Sequence, residues 1–509
     1  MKIEIMDTTL RDGEQTSGVS FTDKEKYTIA KQLLTELCVD RIEIASARVS
    51  KGEFEAVKRI MKWAEKAGYI EKIEVLGFVD GTTSINWISD AGGKCLNLLC
   101  KGSLKHLEGQ LRKTPQQHVD DIKNAVAYAD QKGIIVNIYL EDWSNGMRSS
   151  REYVHFLIDA LQETSIKRYM LPDTLGILSP SETYSFCKEI VTQFPNLHFD
   201  YHGHNDYDLA VANTMLAIDA GVKGIHTSVN GLGERTGNTP LSSIIPALKD
   251  LSKITLQVKE EHLTQISKLV EVISGIRIPV NKPIIGENVF TQTAGIHADG
   301  DNKGNLYQSK LMPERFGRTR KYALGKTSGK ANIQKNLEEL GLDLDQDTLI
   351  KVTNKVIELG DKKESITTED LPYIISEILG EMATEDKVKI TNYYIAHAKG
   401  LKPVATLSLE REGKQYQETA AGDGQYDAFM NALRKIYEQF EINLPVLLDY
   451  IVTIPPGGKT DALVETIITW GFGVKIIKTR ALDPDQTAAA IKATLKMLNM
   501  LEQQDTHNL

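Results

Sequence analysis

The sequence has few cysteines and no long apolar run, and both absences narrow the class of protein. Only four cysteines occur in 509 residues, Cys38, Cys95, Cys100 and Cys187, and none forms a CxxC pair. This argues against a disulfide framework and is typical of a reducing cytosol. No apolar segment approaches the roughly 18 residues that span a bilayer. The first residues enter a strand pattern at once, without the layout of a signal peptide, so we expect a cytoplasmic protein.

A dense stripe of basic residues is also missing. The formal net charge is −9, which argues against nucleic acid as the main partner. An anionic cofactor would need only a local basic patch. A 41% hydrophobic and 25% charged composition is that of an ordinary globular protein. A chain of 509 residues is too long for one core and implies about two to four domains.

Short β-rich runs alternate with segments of helical period as far as about residue 230. The strand candidates are 3–7, 41–45, 72–77, 95–99, 135–140, 167–171, 198–201 and 223–228. Three of the intervening helices begin with capping boxes: Thr22 with Glu25, Thr114 with Gln117, and Ser179 with Glu182. Successive βα units of this number predict a TIM (β/α)8 barrel. A doubly wound open sheet is the alternative, but no Gly-x-Gly-x-x-Gly follows the first strand.

Beyond the barrel pattern the sequence changes twice. It is mainly helical from 261 to 385, apart from a polar, glycine-rich stretch at 295–329. From 386 onward, three strand-like runs and a helix occur twice, which indicates an α+β domain with an internal βββα repeat. We expect a catalytic barrel at 1–260, a helical linker region at 261–385 and a regulatory domain at 386–509.

The run His202-Gly203-His204 follows the seventh strand candidate. Side chains at i and i+2 of an extended backbone leave the same face, so both imidazoles can converge on one cation. Asp12, after the first strand, offers a carboxylate, and Asn238 in a glycine-rich loop offers an amide. This mixed donor set suits zinc, manganese or magnesium. An isolated His-x-His is more often a chance pair on a solvated strand end. The surrounding residues therefore decide between a metal site and a chance pair.

More polar residues follow other predicted strands. Arg11 stands beside Asp12, Glu141 follows the fifth strand and Thr174 follows the sixth. Sites in such barrels lie at the C-terminal ends of the strands, so we expect these residues at one mouth. An α-keto acid can fill two open positions on a metal. Arg11 would then stabilise the oxygen that becomes negative, unless it forms only a salt bridge in the barrel floor.

Two segments together resemble the signatures of one family. Leu10-Arg11-Asp12-Gly13-Glu14-Gln15, with Lys26 eleven positions later, and His202-Gly203-His204-Asn205-Asp206 are similar to motifs of the isopropylmalate, homocitrate and citramalate synthases. The resemblance covers essentially the whole chain. It implies a TIM barrel, a helical linker and a C-terminal domain that binds the end-product amino acid. It also implies a homodimer in which one chain's linker completes the partner's active site.

The resemblance also implies roles for individual residues. The implied metal ligands are Asp12, His202, His204 and Asn238. The implied catalytic residues are Arg11, Glu141, His297 and Tyr307, the last two from the partner chain. The implied substrate contacts are Thr174 for the carboxylate and Tyr139, Leu76 and Leu99, at strand ends, around the alkyl group.

Stretches at 44–51, 140–146, 202–208 and 454–461 look like the pyruvate-using branch of the family, and most isopropylmalate synthases have glycine where this chain has Asp208. The implied enzyme is an acyltransferase that condenses acetyl-CoA with pyruvate to give citramalate, with isoleucine as its inhibitor. The nearest alternative is an isopropylmalate synthase that uses 2-oxoisovalerate and responds to leucine. A metal-dependent aldolase or lyase and a non-catalytic amino-acid sensor are further alternatives.

Overall fold

The computed structural model describes residues 2–294, 309–361, 371–379, 387–453, 464–472 and 475–504, with 296, 299, 300, 304, 306, 307, 366 and 368. The chain divides into two compact units, 1–323 with 327–335 and 324–326 with 336–509. None of the helices within the described ranges is both long enough and apolar enough to cross a membrane.

The first unit is built on a closed barrel of eight parallel strands in sequence order. The strands are β1 (Glu4–Asp7), β2 (Arg41–Ser46), β3 (Ile73–Phe78), β4 (Cys95–Lys101), β5 (Ile135–Glu141), β6 (Arg168–Asp173), β7 (Phe199–Gly203) and β8 (Gly224–Thr227). Glu4 of the first strand pairs with Gly224 of the last, which closes the ring. The predicted TIM barrel is therefore confirmed, and the open-sheet alternative is excluded.

Helices surround this barrel, and their starts follow the capping pattern of the sequence. They are α1 (Asp23–Thr35), α2 (Lys51–Ala67), α3 (Thr83–Asp90), α4 (Pro115–Gln131), α5 (Trp143–Ser149), α6 (Arg151–Leu161), α7 (Pro180–Gln193), α8 (Ala210–Ala220), α9 (Leu241–Leu251) and α10 (Leu263–Ser274). Short helical turns also form at Leu104–His106 and Leu107–Leu111. All three predicted capping boxes form, at the starts of α1, α4 and α7. Each box satisfies backbone N–H groups that the first helical turn leaves unpaired.

The floor of the barrel is charged. Arg41, at the start of β2, donates to Glu74 at 2.7 Å and to Asp200 at 2.5 Å, and all three side chains are buried. Removing one partner of such a buried pair would leave an uncompensated charge. The three residues belong to β2, β3 and β7, so the pairs link these strands inside the barrel. The outward-facing aliphatic side chains of the same strands pack under the helices.

The described residues between 284 and 379 form short strands and then helices. Parallel two-residue strands pair β9 (Thr291–Gln292) with β10 (Lys321–Tyr322), and a 3-10 turn forms at Pro313–Phe316. The helices that follow are α11 (Lys330–Leu340), α12 (Gln346–Asp361) and α13 (Leu371–Leu379).

The C-terminal part of the second unit contains the predicted repeat. One half has β11 (Val388–Ala396), β12 (Val404–Arg411), β13 (Lys414–Ala421) and α14 (Gln425–Glu438). The other half has β14 (Val446–Thr453), β15 (Val464–Phe472), β16 (Lys475–Asp483) and α15 (Gln486–Gln504). In each half the three strands form an antiparallel sheet. Leu407 and Leu433 of one half share an apolar core with Trp470 and Leu498 of the other, so the halves form one domain.

Candidate active site and metal centre

Three predicted ligands meet at the mouth of the barrel. Asp12 follows β1, His202 belongs to β7 and His204 comes directly after that strand. The ligand atoms of these residues all lie within 4.8 Å of one another, and the three residues are buried. Asp12 Oδ2 lies 3.4 Å from His202 Nε2 and 3.8 Å from His204 Nε2. The two imidazole nitrogens are 3.3 Å apart.

This spacing fits one small divalent cation. Ligand bonds of about 2.0 to 2.2 Å place neighbouring ligand atoms roughly 3 to 3.5 Å apart. The fourth predicted ligand, Asn238, forms a backbone bridge with His204, and its Nδ2 donates to the carbonyl oxygen of Leu232 at 3.2 Å. Its Oδ1 is buried and accepts no hydrogen bond from the part of the chain that the structure describes. A cation would satisfy this acceptor, so the donor set fits a divalent metal.

Gly233 keeps the backbone close to these ligands. Its φ of +154° is one that residues with a side chain rarely adopt. A Cβ at this position would lie 2.5 Å from Asn238 Nδ2 and 3.1 Å from Asp12 Oδ1. Any side chain there would push the amide and the carboxylate apart, which explains the glycine in this loop.

Arg11 is held between two carboxylates. Its Nη1 donates to Asp12 Oδ2 at 3.1 Å and its Nε donates to Glu43 Oε2 at 2.6 Å. Burial alone would lower the pKa of Arg11, but Glu43 and Asp12 hold that pKa above its ordinary value. Glu43 is fixed in turn by Asn97 Nδ2, which donates to Oε1 at 2.8 Å. The guanidinium is therefore charged and oriented, as a group that stabilises developing negative charge must be.

The proposed ligands rest in the protonation states that a metal requires. Burial would raise the pKa of Asp12, but Arg11 and the two histidines hold it well below its ordinary value. Burial lowers the pKa of His204 to about 4 and also depresses the pKa of His202. An ionised carboxylate and neutral imidazoles bind a cation without first losing a proton.

An apolar cluster lies inside the barrel beside the ligands. The predicted pocket residues Leu76, Leu99 and Tyr139 meet there with Met6 and Met170. The ring of Tyr139 stands edge-on to that of His202, with centroids 5.7 Å apart, so the cluster adjoins the metal site.

The strands extend one or two residues beyond their predicted ends at 77, 99 and 140, so the pocket residues lie slightly deeper in the barrel than the sequence indicated. Leu76, Leu99 and Tyr139 each lie two positions before the last residue of a strand. The added positions Phe78, Lys101 and Glu141 lie two residues after the pocket residues and therefore continue the same faces of the strands at the mouth.

Glu141 and Thr174 both lie at the mouth. Glu141 ends β5 and forms an ion pair with Lys101, its neighbour on β4. Thr174 Oγ1 accepts a hydrogen bond from the backbone N–H of Asp142 at 2.9 Å, which leaves the hydroxyl hydrogen to donate elsewhere.

The strand end that carries Lys101 depends on a buried neutral histidine. The backbone N–H of Lys101 donates to His118 Nε2 at 3.1 Å, and burial lowers the pKa of His118 to about 4. The unfolded chain takes up this proton near pH 6.5 and the folded chain does not. We therefore expect the fold to lose stability as the pH falls from about 6.5 to 4, by roughly 3 kcal/mol from this residue.

Melting temperatures measured between pH 7 and pH 4.5 test this expectation. A His118→Gln variant keeps an acceptor oxygen but takes up no proton in this range. Its melting temperature should fall less with decreasing pH than that of the parent. Parallel curves for the two proteins would contradict a role for His118.

The two remaining predicted residues lie in the glycine-rich stretch. His297 lies outside the described residues. Tyr307 is described and half-exposed, and its ring packs over Gly300. The proposed contribution of both residues to a partner's site stays a prediction.

Sequence reasoning missed the residues that support the site from behind. Glu43 and Asn97 fix Arg11, and His226 lies 3.3 Å from His202 between the Nδ1 atoms. The sequence did contain a signal for these residues. Polar side chains occur within strands that a closed barrel surrounded by helices covers on both faces. Such residues need partners once buried, so they indicate a network inside the barrel.

The fold and this site together define a TIM-barrel enzyme with a donor set suited to a divalent cation. Residues 2–270 match the HMGL-like family model, residues 284–364 the "homocitrate synthase post-HMGL domain-like" model, and residues 365–502 the "LeuA allosteric (dimerisation) domain" model.

Curated relatives match over nearly the full length, among them two with different named functions. The (R)-citramalate synthase of Methanocaldococcus jannaschii is 36% identical over 98% of this chain and 100% of its own. The probable 2-isopropylmalate synthase of Methanopyrus kandleri is 34% identical over 98% of each chain. A solved HMG-CoA lyase of Bacillus subtilis is 22% identical with a TM-score of 0.48, over 55% of this chain and 95% of that one.

The chain belongs to the HMGL-like family, among the acetyl-CoA-dependent 2-oxo-acid synthases that include the citramalate and 2-isopropylmalate synthases. It is therefore an acyltransferase that condenses acetyl-CoA with a 2-oxo acid. Enzymes of the HMGL-like family use a divalent metal. The C-terminal match fits dimerisation and allosteric regulation.

Proposed function

We propose that this enzyme condenses acetyl-CoA with pyruvate to give (R)-citramalate and coenzyme A, the first step of a route to isoleucine. The supporting observation is the apolar cluster beside the ligands. A keto acid bound by its carboxylate and keto oxygens would direct its alkyl group toward Leu76, Leu99 and Tyr139, with Met170 behind them. These bulky side chains favour a methyl group over a longer chain by steric exclusion. The full-length relative named (R)-citramalate synthase supports the same substrate.

The positions of the mouth residues support the following reaction. A cation held by Asp12, His202, His204 and Asn238 would polarise the keto carbonyl. Glu141, as general base or as the group that orients acetyl-CoA, promotes removal of a methyl proton. The enolate carbon bonds to the keto carbon, and the keto π electrons move to the oxygen, where Arg11 stabilises the charge. Thr174 donates to the substrate carboxylate. The new alkoxide takes up the proton that was removed from the methyl group. Water then cleaves the thioester: its oxygen bonds to the acyl carbon, the carbon–sulfur bond breaks, and a proton of the water goes to the thiolate of the released coenzyme A.

His297 and Tyr307 of the partner subunit complete this proposal. Both belong to the glycine-rich stretch between barrel and helices. An imidazole and a phenol there would assist proton transfer during thioester hydrolysis. The C-terminal match to a dimerisation domain supports a homodimer in which such a contribution is possible.

The substrate assignment is tested by the release of free thiol from acetyl-CoA with a panel of 2-oxo acids. We expect kcat/KM to be highest with pyruvate and to fall about 10- to 200-fold for each added methylene or methyl group. Leu99→Ala should narrow this gap, since it enlarges the pocket. Leu251→Ala, at an exposed leucine on the barrel surface, is the control and should leave the ranking unchanged.

A preference for 2-oxoisovalerate would overturn the pyruvate assignment. It would favour a 2-isopropylmalate synthase, the function named for the relative from Methanopyrus kandleri. No thiol release with any 2-oxo acid would contradict the condensation itself and favour a lyase or a sensor.

Isoleucine is the proposed inhibitor, and the C-terminal domain offers a cavity for it. The cavity has a volume of about 620 Å³ and lies between α14 and β14. Tyr426, Tyr450 and Trp470 supply apolar wall, and Asp427 supplies a carboxylate for an ammonium group. An aliphatic amino acid needs both kinds of contact.

Asp427→Asn is expected to raise the isoleucine concentration for half inhibition by about tenfold or more, because the hydrogen bond to the ammonium loses its charge. Asparagine can still accept the backbone hydrogen bond from Asp423, which reaches Asp427 Oδ2 at 2.9 Å. Asp423→Asn, exposed and paired with Lys402, is the matched control and should change nothing. Equal inhibition of all three proteins would place the effector elsewhere, and inhibition by leucine alone would change its identity.

A further inference from the structure

His202 has a second contact on the side of its ring that faces away from the proposed metal. Its Nε2 faces Asp12 and His204, whereas its Nδ1 lies 3.3 Å from His226 Nδ1. His226 belongs to β8 and is buried. The two rings stand nearly perpendicular, with centroids 5.3 Å apart. A histidine therefore occupies the position behind a ligand that usually holds a carboxylate, a carbonyl or water.

The far nitrogen of His226 is anchored in the charged floor of the barrel. His226 Nε2 lies 3.2 Å from Asp200 Oδ2, which also accepts from Arg41 Nη2 at 2.5 Å. Beside the buried guanidinium Asp200 is ionised, and an ionised carboxylate only accepts hydrogen bonds. The proton of a neutral His226 therefore sits on Nε2, and its Nδ1 is an acceptor.

These contacts leave one consistent arrangement of protons. When His202 offers its Nε2 lone pair to a cation, its ring proton sits on Nδ1. That Nδ1–H then donates to Nδ1 of His226, and His226 Nε2–H donates to Asp200. Each hydrogen bond in this relay runs in the same direction, and neither ring carries a net charge.

Tyr139 is a second possible hydrogen-bond donor to His226 Nδ1. Its hydroxyl lies 3.1 Å from His226 Nδ1 and 3.3 Å from Glu43 Oε2. An imidazole nitrogen has one lone pair, so the tyrosine and His202 cannot both donate to it. The carboxylate of Glu43 is the stronger acceptor, so Tyr139 donates there and leaves the nitrogen to His202.

The relay distinguishes the two ligand histidines. His204 Nδ1 is buried and has no hydrogen-bond partner within the described part of the chain. His202 is therefore the histidine whose ring is held from behind.

We propose that His226 is a positioning residue that fixes the tautomer and the orientation of His202 through the relay from Asp200 to His226 to His202. The proposal rests on the metal site described above and extends it to the residue that presents one of its ligands.

The test titrates the metal-free full-length protein and its variants with MnCl2 in a calorimeter. His226→Leu cannot accept from His202, and its dissociation constant for Mn²⁺ should rise about 10- to 100-fold. His226→Gln can accept through Oε1 and donate to Asp200 through Nε2, so its affinity should return to within about threefold of the parent. Both variants lose the ring, so a packing defect alone would weaken them equally, and metal-free melting temperatures measure that defect.

Tyr139→Phe provides an independent test even if His226→Leu does not fold. It removes the hydroxyl and its hydrogen bond to Glu43 but keeps the contacts of His226 with His202 and Asp200, so the affinity for Mn²⁺ should stay within about threefold of the parent. The relay is overturned if His226→Leu binds Mn²⁺ like the parent or His226→Gln binds as weakly as His226→Leu. A loss of about tenfold or more in Tyr139→Phe would also overturn it. Failure of the parent to bind Mn²⁺ would contradict the metal site itself, and the relay with it.

Discussion

Replacing Asp12 with asparagine is expected to lower kcat/KM for the condensation by about a thousandfold. Asp12 supplies the carboxylate of the proposed ligand set, 3.4 Å and 3.8 Å from the two histidine nitrogens. Asparagine keeps the volume but removes the negative charge. A cation that polarises a carbonyl contributes several kcal/mol to transition-state stabilisation, and a loss of about 4 kcal/mol corresponds to three powers of ten.

Thiol release and the metal content of the purified variant are the two measurements. Asp90→Asn, an exposed aspartate at the end of α3, is the control and should behave like the parent. We expect loss of activity and loss of metal together in Asp12→Asn. If the variant keeps its metal and its parental activity, Asp12 is not a metal ligand, and the proposed mechanism is wrong.

Local signals explain why the barrel could be predicted. The capping box at Thr22 and Glu25 fixes the start of α1 within one turn of chain, and no distant residue is needed to recognise it. Strand ends were harder. The predicted fourth strand stops at Leu99, yet β4 continues through Cys100 to Lys101, because Lys101 pairs with Glu141 of β5. Such pairing depends on the neighbouring strand, which the local sequence does not contain.

The ligand triad could also be predicted, because the spacing of His202 and His204 places both rings on one face and Asp12 follows another strand of the same predicted barrel. Glu43 could not. In β2, Arg41 and Glu43 alternate with Ile42 and Ile44, a pattern that equally describes a strand with one face in water. In the closed barrel the polar face turns inward, where Arg41 meets Asp200 and Glu43 meets Arg11. The alternation is the same in both cases, and only the closure of the sheet decides between them.

This enclosed polar face has a functional consequence. Glu43 accepts from Arg11, Asn97, Thr8 and Tyr139, so one carboxylate ties the proposed oxyanion group to the wall of the substrate pocket. Burial would raise the pKa of Glu43, but Arg11 and the other donors hold it below its ordinary value. The arginine is thereby oriented before any substrate arrives, which is the condition for electrostatic preorganisation.

Arg11→Lys is therefore expected to lower kcat by about a hundredfold to a thousandfold, the loss typical of one oxyanion donor. Lysine keeps the charge beside Asp12 and Glu43, so the affinity for Mn²⁺ should stay within about threefold of the parent. It lacks the planar fork, which here bonds Glu43 through Nε and Asp12 through Nη1 and stacks over Tyr139 at 5.2 Å. A single ammonium cannot keep both bonds and still face the substrate oxygen.

The measurements are kcat and KM for pyruvate at saturating acetyl-CoA, and Mn²⁺ titration of the metal-free protein. Arg59→Lys is the control, because Arg59 forms an exposed ion pair with Asp23 and such pairs contribute little. A kcat within tenfold of the parent would mean that Arg11 does not stabilise the transition state. Loss of Mn²⁺ binding as complete as that expected for Asp12→Asn would instead mean that Arg11 acts by holding the ligands. The pair of variants thus separates stabilisation of the substrate oxygen from assembly of the metal site.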